Sequence, residues 1–206
     1  MKRKRLWTGL AATAVVASGA AVWAVLSQPA ATSESEGKSA ARAVSEAQTL
    51  LNAGLMQSRY QDFSGAATTF KRVVALDPGN KFGWYNLGYI AQRDGRKADA
   101  RAAYDKALKI DPSFESALFN EALLVKSSEP DRAIRLLKRV IAHNSKASTA
   151  YLHLGEALAK KGRDDEAQDA FGRAVAADPK LLSFVPEPFQ DSASPAPSTS
   201  QAGTTD

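Results

Sequence analysis

The chain has 206 residues, of which 44% are hydrophobic and 24% are charged, a composition typical of a folded protein and not of a wholly disordered one. It contains no cysteine, which excludes disulfides, thiolate metal sites and cysteine nucleophiles. The net charge of +5 divides into +3 over residues 1–46, +5 over residues 47–181 and −3 over residues 182–206. Because +5 over 135 residues is only a mildly basic surface, we expect no nucleic-acid partner.

A membrane-spanning segment is predicted near the N-terminus. Basic residues 2–5 precede an uncharged run of 21 residues at 6–26. As a helix this run would be about 31 Å long, which matches a bilayer core of about 30 Å. Trp7 and Trp23 lie near its ends, where aromatic rings favour the headgroup level. The positive-inside rule then keeps residues 1–5 in the cytoplasm as a basic tail and places the rest of the chain outside it. We therefore expect a single-pass membrane protein with a signal-anchor helix.

A cleaved secretory signal is the alternative for the same segment. Such a signal has an apolar region of about 7–15 residues that ends in a small-x-small site. The run here is longer, and residues 27–30 (Ser-Gln-Pro-Ala) make a poor cleavage site. Seven of the 21 residues are alanine, so the run is only moderately hydrophobic and secretion after cleavage stays open. We interpret residues 27–46, rich in Ser, Ala and Glu, as a linker that could become helical from about Lys38.

The middle of the chain is a repeat, marked by the dipeptide Asp-Pro at Asp77-Pro78, Asp111-Pro112 and Asp178-Pro179. The first two marks are 34 residues apart and the last two are 67 apart, with Asn144-Ser145 where the missing mark should stand. A fixed period near 34 is typical of a helical solenoid. It divides the chain into four units, 47–80, 81–114, 115–147 and 148–181.

The four units share a set of residues at corresponding positions. The second unit is the clearest, with Trp84, Leu87, Gly88, Ala91, Ala100, Tyr104, Ala107 and Pro112. Over about 135 of its 206 residues the chain therefore resembles the tetratricopeptide-repeat family. The resemblance implies an all-α fold, an α-solenoid of four helix-turn-helix repeats that form a right-handed superhelix with a concave groove. The third unit is the weakest match, and its inter-helix turn, residues 127–130, is one residue short.

Small and rigid residues predict where the helices pack and end. Small residues at positions 8 and 20 of a unit let its two helices approach closely, and the aromatic residue at position 24 fills the space beside them. Gly95 and Gly162 are expected to end first helices in a left-handed cap. After the last unit, we expect Leu181, Leu182, Phe184 and Val185 to fold over its exposed edge, because two prolines that follow forbid a long helix. From Asp191 onward the composition predicts a disordered tail rich in Ser, Pro and Thr.

Catalysis finds little support in the sequence. His143 lies near a helix end, where a cation suits the helix dipole. His153 and Glu156 could share a metal across one helical turn, but two ligands without a third do not make a site. The sequence has no glycine-rich phosphate loop, nucleophile elbow or His-Glu-x-x-His motif. We therefore expect neither an enzyme nor a cofactor or metal site.

The resemblance also implies which residues line the groove: positions 2, 5, 6, 9, 12 and 13 of each first helix. Three groups stand out among them. The asparagine row is Asn52, Asn86 and Asn120; the basic row is Arg59, Arg93, Lys126 and Lys160; the aromatic patch is Phe82, Tyr85, Tyr89 and Phe119. Side-chain amides can pair with an extended peptide, cations could attract an acidic partner, and aromatic residues are the anchors that binding hot spots favour. The structural alternatives are that asparagine is common at this position in the family and that cations stabilise helix C-termini.

Some proteins similar to this family bind C-terminal carboxylates through a five-residue clamp. In the register that starts at unit one, only one clamp residue is present, among Leu51, Leu55, Asn86, Ser116 and Asn120. The register that starts at unit two also gives one match, so a carboxylate clamp is disfavoured.

The leading interpretation is a membrane-anchored scaffold or adaptor that binds a peptide or helix of a partner protein outside the cytoplasm. The alternative is a structural or assembly subunit that self-associates, as a homo-oligomer, or packs into a membrane complex.

Overall fold

The computed structural model describes residues 30–194, with side-chain environments from residue 35 onward. The chain divides into two compact units, residues 1–42 and 43–206. In the first unit, described residues 30–42 are helical; every contact reported below lies in the second. The predicted anchor at residues 6–26 is outside the described residues, and no helix among those described is long and apolar enough to cross a bilayer.

All regular structure in the described range is helical. The elements are α1 (Ala30–Arg59), α2 (Phe63–Leu76), α3 (Lys81–Arg93), α4 (Lys97–Ile110), α5 (Glu115–Val125), α6 (Pro130–His143), α7 (Ser148–Lys160), α8 (Asp164–Ala177), a 3-10 helix (Pro179–Phe184) and α9 (Glu187–Ala193). Four consecutive helix pairs, from the end of α1 to α8, correspond to the four sequence units, which confirms the predicted all-α repeat fold. Helix α1 begins at Ala30, before the Lys38 start considered from sequence, in keeping with the high helix propensity of its alanines.

The two helices of a unit are held at close range by a glycine that faces an aromatic ring. A Cβ atom placed on Gly54 would lie 2.6 Å from Phe70, and one on Gly88 would lie 2.6 Å from Tyr104. In unit four, a Cβ on Gly155 would lie 2.5 Å from Phe171. Unit three instead places Ala122 and Leu137 at the corresponding positions, both fully buried. The smaller aliphatic side chain leaves room for the alanine Cβ, so the helix pair survives the change.

In units one, two and four the turn between the paired helices contains a left-handed residue, as expected for the glycines of units two and four. Gly95 has a φ of 75° and Gly162 a φ of 67°. Unit one has Gln61 at the same position with a φ of 65°, which the sequence did not reveal because glutamine rarely adopts this conformation. The left-handed region costs an L-residue roughly 1–2 kcal/mol. Repeat geometry therefore overrides residue preference at Gln61.

Unit three has a buried carboxylate where units two and four have leucine. Glu121 is fully buried, and Arg132 Nε donates to its Oε1 at 2.7 Å. Arg132 also donates to Asp105 of α4 at 2.6 Å, so the network joins units two and three. The second carboxylate oxygen of Glu121, Oε2, has no hydrogen-bond partner among the described residues. Burial raises the pKa of the Glu121 carboxyl, and the hydrogen bond and charge of Arg132 oppose this shift.

A short C-terminal segment covers the exposed edge of unit four. Leu181 and Val185 are buried, as predicted, and the Phe189 ring of α9 packs 5.2 Å from the Phe171 ring. The prediction was wrong for Phe184, which is 67% exposed, because the 3-10 helix turns this side chain outward and Phe189 fills the space. Helix α9 also continues past Asp191, where a disordered tail was expected, because Ala193 is buried against the core.

For the buried Glu121–Arg132 pair, we expect that removing one partner destabilises the fold more than replacing both partners with apolar residues. Arg132→Leu strands the Glu121 carboxylate, so the free energy of unfolding should fall by about 3 kcal/mol. Adding Glu121→Leu restores the residue type of units two and four and should recover most of the loss. Urea denaturation measures both. Arg101→Leu, which breaks a half-exposed pair with Glu129, is the control and should cost less than about 1 kcal/mol. Equal losses for Arg132→Leu and Arg101→Leu would contradict the assignment.

Candidate functional site

Contacts between successive first helices identify the surface that they share. Asn120 Nδ2 of α5 donates to Tyr85 Oη of α3 at 2.9 Å. The Phe119 ring of α5 lies 5.7 Å from the His153 ring of α7. Lys160, the last residue of α7, donates to the Ser127 carbonyl oxygen at 2.8 Å. The residues that meet here occupy positions 5, 6 and 13 of their units, so the first helices lie side by side along the surface expected to form the groove. We call this surface the groove face.

The aromatic patch divides into exposed and packed rings. Phe82 is 46% exposed and Tyr89 is 45% exposed. Tyr85 is half-buried, with its ring centroid 5.3 Å from Phe114 and 6.0 Å from Tyr104. Phe114, the residue that precedes α5, also meets Phe82 edge to face at 5.4 Å. Sequence reasoning missed Phe114 because it lies outside the first-helix positions; its tertiary neighbours alone place it under the patch.

Tyr85 is the packed centre of this patch. Burial raises the pKa of its phenol, and the hydrogen bond from Asn120 opposes the shift. The hydroxyl therefore stays protonated at neutral pH and accepts from the Asn120 amide. It ties α3 to α5, so the groove face is fixed by a neutral hydrogen bond at its centre.

The three asparagines do not have equivalent environments. Asn86 Nδ2 donates to the Phe82 carbonyl oxygen of its own helix at 2.8 Å. Asn120 donates to Tyr85, as described above, whereas Asn52 is exposed. Two of the three amide groups thus already support the groove face itself. A ligand contact through this row stays a prediction.

The basic row is also engaged within the protein. The Arg93 guanidinium lies 3.6 Å from the centre of the Phe63 ring, and 3.6 Å separates it from the Asp94 carboxylate. Lys160 holds the Ser127 carbonyl, and Arg59 is exposed. The four residues of the basic row are regularly spaced in the sequence, but their local environments differ. The attraction of an acidic partner by this row stays a prediction.

Lys126, the remaining member of the basic row, belongs to a polar cluster between α5 and α7. Its Nζ contacts Glu156 Oε2 and lies 3.2 Å from His153 Nδ1, and His153 Nδ1 lies 3.0 Å from the same carboxylate oxygen. Burial alone would raise the pKa of the Glu156 carboxyl. Hydrogen bonds from His153 and Lys126, together with their charges, have a larger opposite effect and lower this pKa to about 2. The carboxylate therefore neutralises the cation that the sequence offered to an acidic partner.

We expect Glu156 to contribute to stability in a pH-dependent way. A carboxyl with a folded-state pKa of about 2 and an ordinary value of 4.5 stabilises the fold above about pH 4.5, and this contribution is lost as the pH falls toward 2. Glu156→Gln should lower the free energy of unfolding at neutral pH and flatten its decline between these limits, as measured by urea denaturation across pH. The exposed Glu187 of α9 offers a control: Glu187→Gln should leave the decline as in the wild type. An unchanged acid decline in Glu156→Gln would contradict the role given to the cluster.

The described residues contain no group of three His, Asp or Glu side chains that could hold a metal ion. His153 and Glu156 come together as their spacing suggested, but their third neighbour is the Lys126 ammonium, which would repel a cation. The polar cluster is therefore an ion-pair tie between helices.

Comparisons with known proteins agree with the repeat architecture. A family model described as tetratricopeptide repeat matches residues 51–113 and 123–181. Among curated proteins, the chain is 28% identical over 110 residues to the protein O-mannosyl-transferase Tmtc3 of Drosophila melanogaster and 29% identical over 105 residues to human TMTC3. These matches span about half of this chain (52% and 50%) but only 12% of each relative.

Solved structures show the same fold. A crystal structure of MamA protein is 26% identical, with a TM-score of 0.60 and coverage of 67% of this chain and 76% of that chain. YrrB, described as a TPR protein with an unusual peptide-binding site, is 19% identical, with a TM-score of 0.63 and coverage of 75% and 86%. PilW, described as a type IV pilus biogenesis factor, is 21% identical, with a TM-score of 0.59 and coverage of 66% and 64%. For the last two the likeness concerns the fold alone.

Proposed function

Because the chain belongs to the tetratricopeptide-repeat family, we propose that it is a scaffold whose groove face binds a peptide or helix of a partner protein. The observation that carries the proposal is the exposure of apolar side chains on this face. Leu55, Phe82 and Tyr89 are 44%, 46% and 45% exposed and occupy groove positions of units one and two. Apolar side chains clustered on an otherwise folded surface mark interaction sites. The structural neighbour YrrB, which shares the fold, is described as a TPR protein with an unusual peptide-binding site, and this favours a peptide-binding role.

The chemistry of the groove face favours a partner anchored by an apolar or aromatic residue. Phe82 and Tyr89 offer exposed rings above the packed Tyr85, an arrangement suited to a single inserted side chain. Lys126 is neutralised by Glu156, and Arg93 is stacked on Phe63. Attraction of acidic groups of the partner is thus expected to be secondary, and the exposed Arg59 is the main cation that would provide it.

The proposal includes a location as well as a binding role. We infer that residues 6–26 anchor the chain in a membrane and that the repeats lie outside the cytoplasm. The basic residues 2–5 and the length of the uncharged run support this inference. Secretion after cleavage is the alternative for the same sequence. Neither location requires catalysis, and we propose a role in binding only.

Self-association through the edge of unit four is less favoured than ligand binding. That edge is covered by Leu181, Val185 and Phe189, which leaves Phe184 as the large apolar side chain exposed on the described part of this segment. Self-association through the groove face would use the same exposed rings. Size-exclusion chromatography with light scattering on the detergent-solubilised full chain separates the two, since a monomer supports a free groove.

We expect partner binding to depend on the exposed rings of the groove face. Phe82→Ala/Tyr89→Ala removes two anchors, each worth about 2 kcal/mol if it is a hot spot, and should reduce captured partner more than tenfold. Quantitative mass spectrometry of pull-downs from solubilised membranes measures this loss. Phe184→Ala removes an equally large, 67% exposed ring away from the groove face and should leave capture unchanged. If both variants retain the same proteins as the wild type, the groove face is not the binding site.

The absence of cysteine makes the location directly testable. A single cysteine introduced as Ser39→Cys should react with a membrane-impermeant maleimide on intact cells, because it follows the predicted span. Lys2→Cys should react only after permeabilisation. Labelling of Ser39→Cys only after permeabilisation would contradict the orientation, and recovery of a shortened chain lacking its first residues would favour cleavage.

A further inference from the structure

The net charge of the repeats is concentrated on the second helices of units one to three. Helices α2, α4 and α6 together carry ten Lys or Arg and three Asp or Glu, a net charge of +7. Helix α8 carries one Arg and four acidic residues, a net charge of −3. The net charge of +5 over residues 47–181 is therefore unevenly distributed: the second helices of units one to three form a basic surface, and α8 is acidic.

A hollow of about 400 Å³ lies within this basic surface, between α4, α5 and α6. Four cations line it: Lys109, Arg132, Arg135 and Arg139. Its floor includes two apolar side chains, the half-buried Leu108 and the buried Leu136. We call this feature the α4–α6 hollow.

The carboxylates that also line the hollow are already paired with one of these cations. Arg132 binds both Asp105 and Glu121, the two acidic residues of the lining. Among the described residues, Lys109 and Arg135 have no ion-pair partner, and Arg139 donates to the Pro112 carbonyl oxygen while its charge stays uncompensated. The hollow thus combines an apolar floor with a rim of unbalanced positive charge.

We propose that the α4–α6 hollow is a second protein-binding surface, which takes a short acidic segment with an apolar residue. Charge complementarity selects carboxylates for the rim, and Leu108 and Leu136 provide contact for one apolar side chain. A bilayer or a long nucleic acid fits less well because it would extend across the neighbouring acidic helix α8, where Asp164, Asp165 and Asp169 would repel it. None of the residues that line the hollow belongs to the groove face, so the scaffold would hold two partners at separate sites.

The test measures binding of a short fluorescein-labelled peptide of glutamate and leucine to the full chain in non-ionic detergent, by fluorescence anisotropy. Lys109→Glu/Arg135→Glu should weaken binding by about tenfold or more, because it reverses two charges at the rim. Lys97→Glu/Lys180→Glu makes the same change of net charge at exposed sites outside the hollow and should change the affinity less than about twofold. Phe82→Ala/Tyr89→Ala, on the groove face, should leave the affinity unchanged.

Three results would overturn the proposal. Equal weakening by the two charge-reversal variants would show attraction by net charge alone. Loss of binding in Phe82→Ala/Tyr89→Ala would place the peptide on the groove face. Binding of anionic vesicles or of a single-stranded oligonucleotide that depends on Lys109 and Arg135, without peptide binding, would identify a different class of partner. Circular dichroism of each variant confirms that a lost interaction does not reflect loss of the fold.

Discussion

The close approach of two helices within each unit is the constraint on which the rest of the structure depends. A glycine faces an aromatic ring at a distance that admits no Cβ, as at Gly88 and Tyr104. The aromatic residue does more than fill space, because the Tyr104 hydroxyl donates to Gln92 Oε1 at 2.9 Å and so holds a position at the end of α3. In unit one, Thr69 Oγ1 of α2 donates to Gln57 of α1 at 2.7 Å. The second helix thus holds the first helix in position by packing and by side-chain hydrogen bonds. Because the first helices form the groove face, its geometry depends on these contacts.

Unit three shows how the repeat tolerates loss of that contact. Ala122 and Leu137 replace the glycine and aromatic ring, and the buried Glu121 replaces a leucine. Arg132 compensates the buried charge and reaches Asp105 of the preceding unit. Arg132 and these two carboxylates also line the α4–α6 hollow, where Lys109 and Arg135 have no ion-pair partner among the described residues. The internal ion pairing of unit three therefore lies beside the basic rim of the hollow.

On the groove face, two of the four cations of the basic row are paired within the protein, whereas Arg59 and Lys160 are exposed. Lys126 is paired with Glu156, and Arg93 lies against the Phe63 ring and the Asp94 carboxylate. The exposed apolar side chains there are Leu55, Phe82 and Tyr89. The groove face and the second helices consequently differ in the chemistry they present, with exposed apolar rings on the first and a net positive charge on the second. A scaffold with such faces distinguishes its partners by chemistry as well as by position.

The sequence by itself determined the helical repeat, its four units and the left-handed caps at Gly95 and Gly162, because these depend on periodicity and on backbone preferences that are local. Its register also predicted that the groove residues share one surface, and the contacts of Tyr85 with Asn120 and of Phe119 with His153 join such residues in units two to four. It did not determine which side chains would be available there: the contact of Asn120 with Tyr85 joins residues 35 positions apart, and that of Lys126 with Glu156 joins residues 30 positions apart. Nor could it reveal Phe114, Gln61 in a left-handed turn, or the outward Phe184. Only the tertiary structure decided these outcomes, because each depends on packing between helices. The conformation and exposure of each of these side chains are set by neighbours that are distant in sequence.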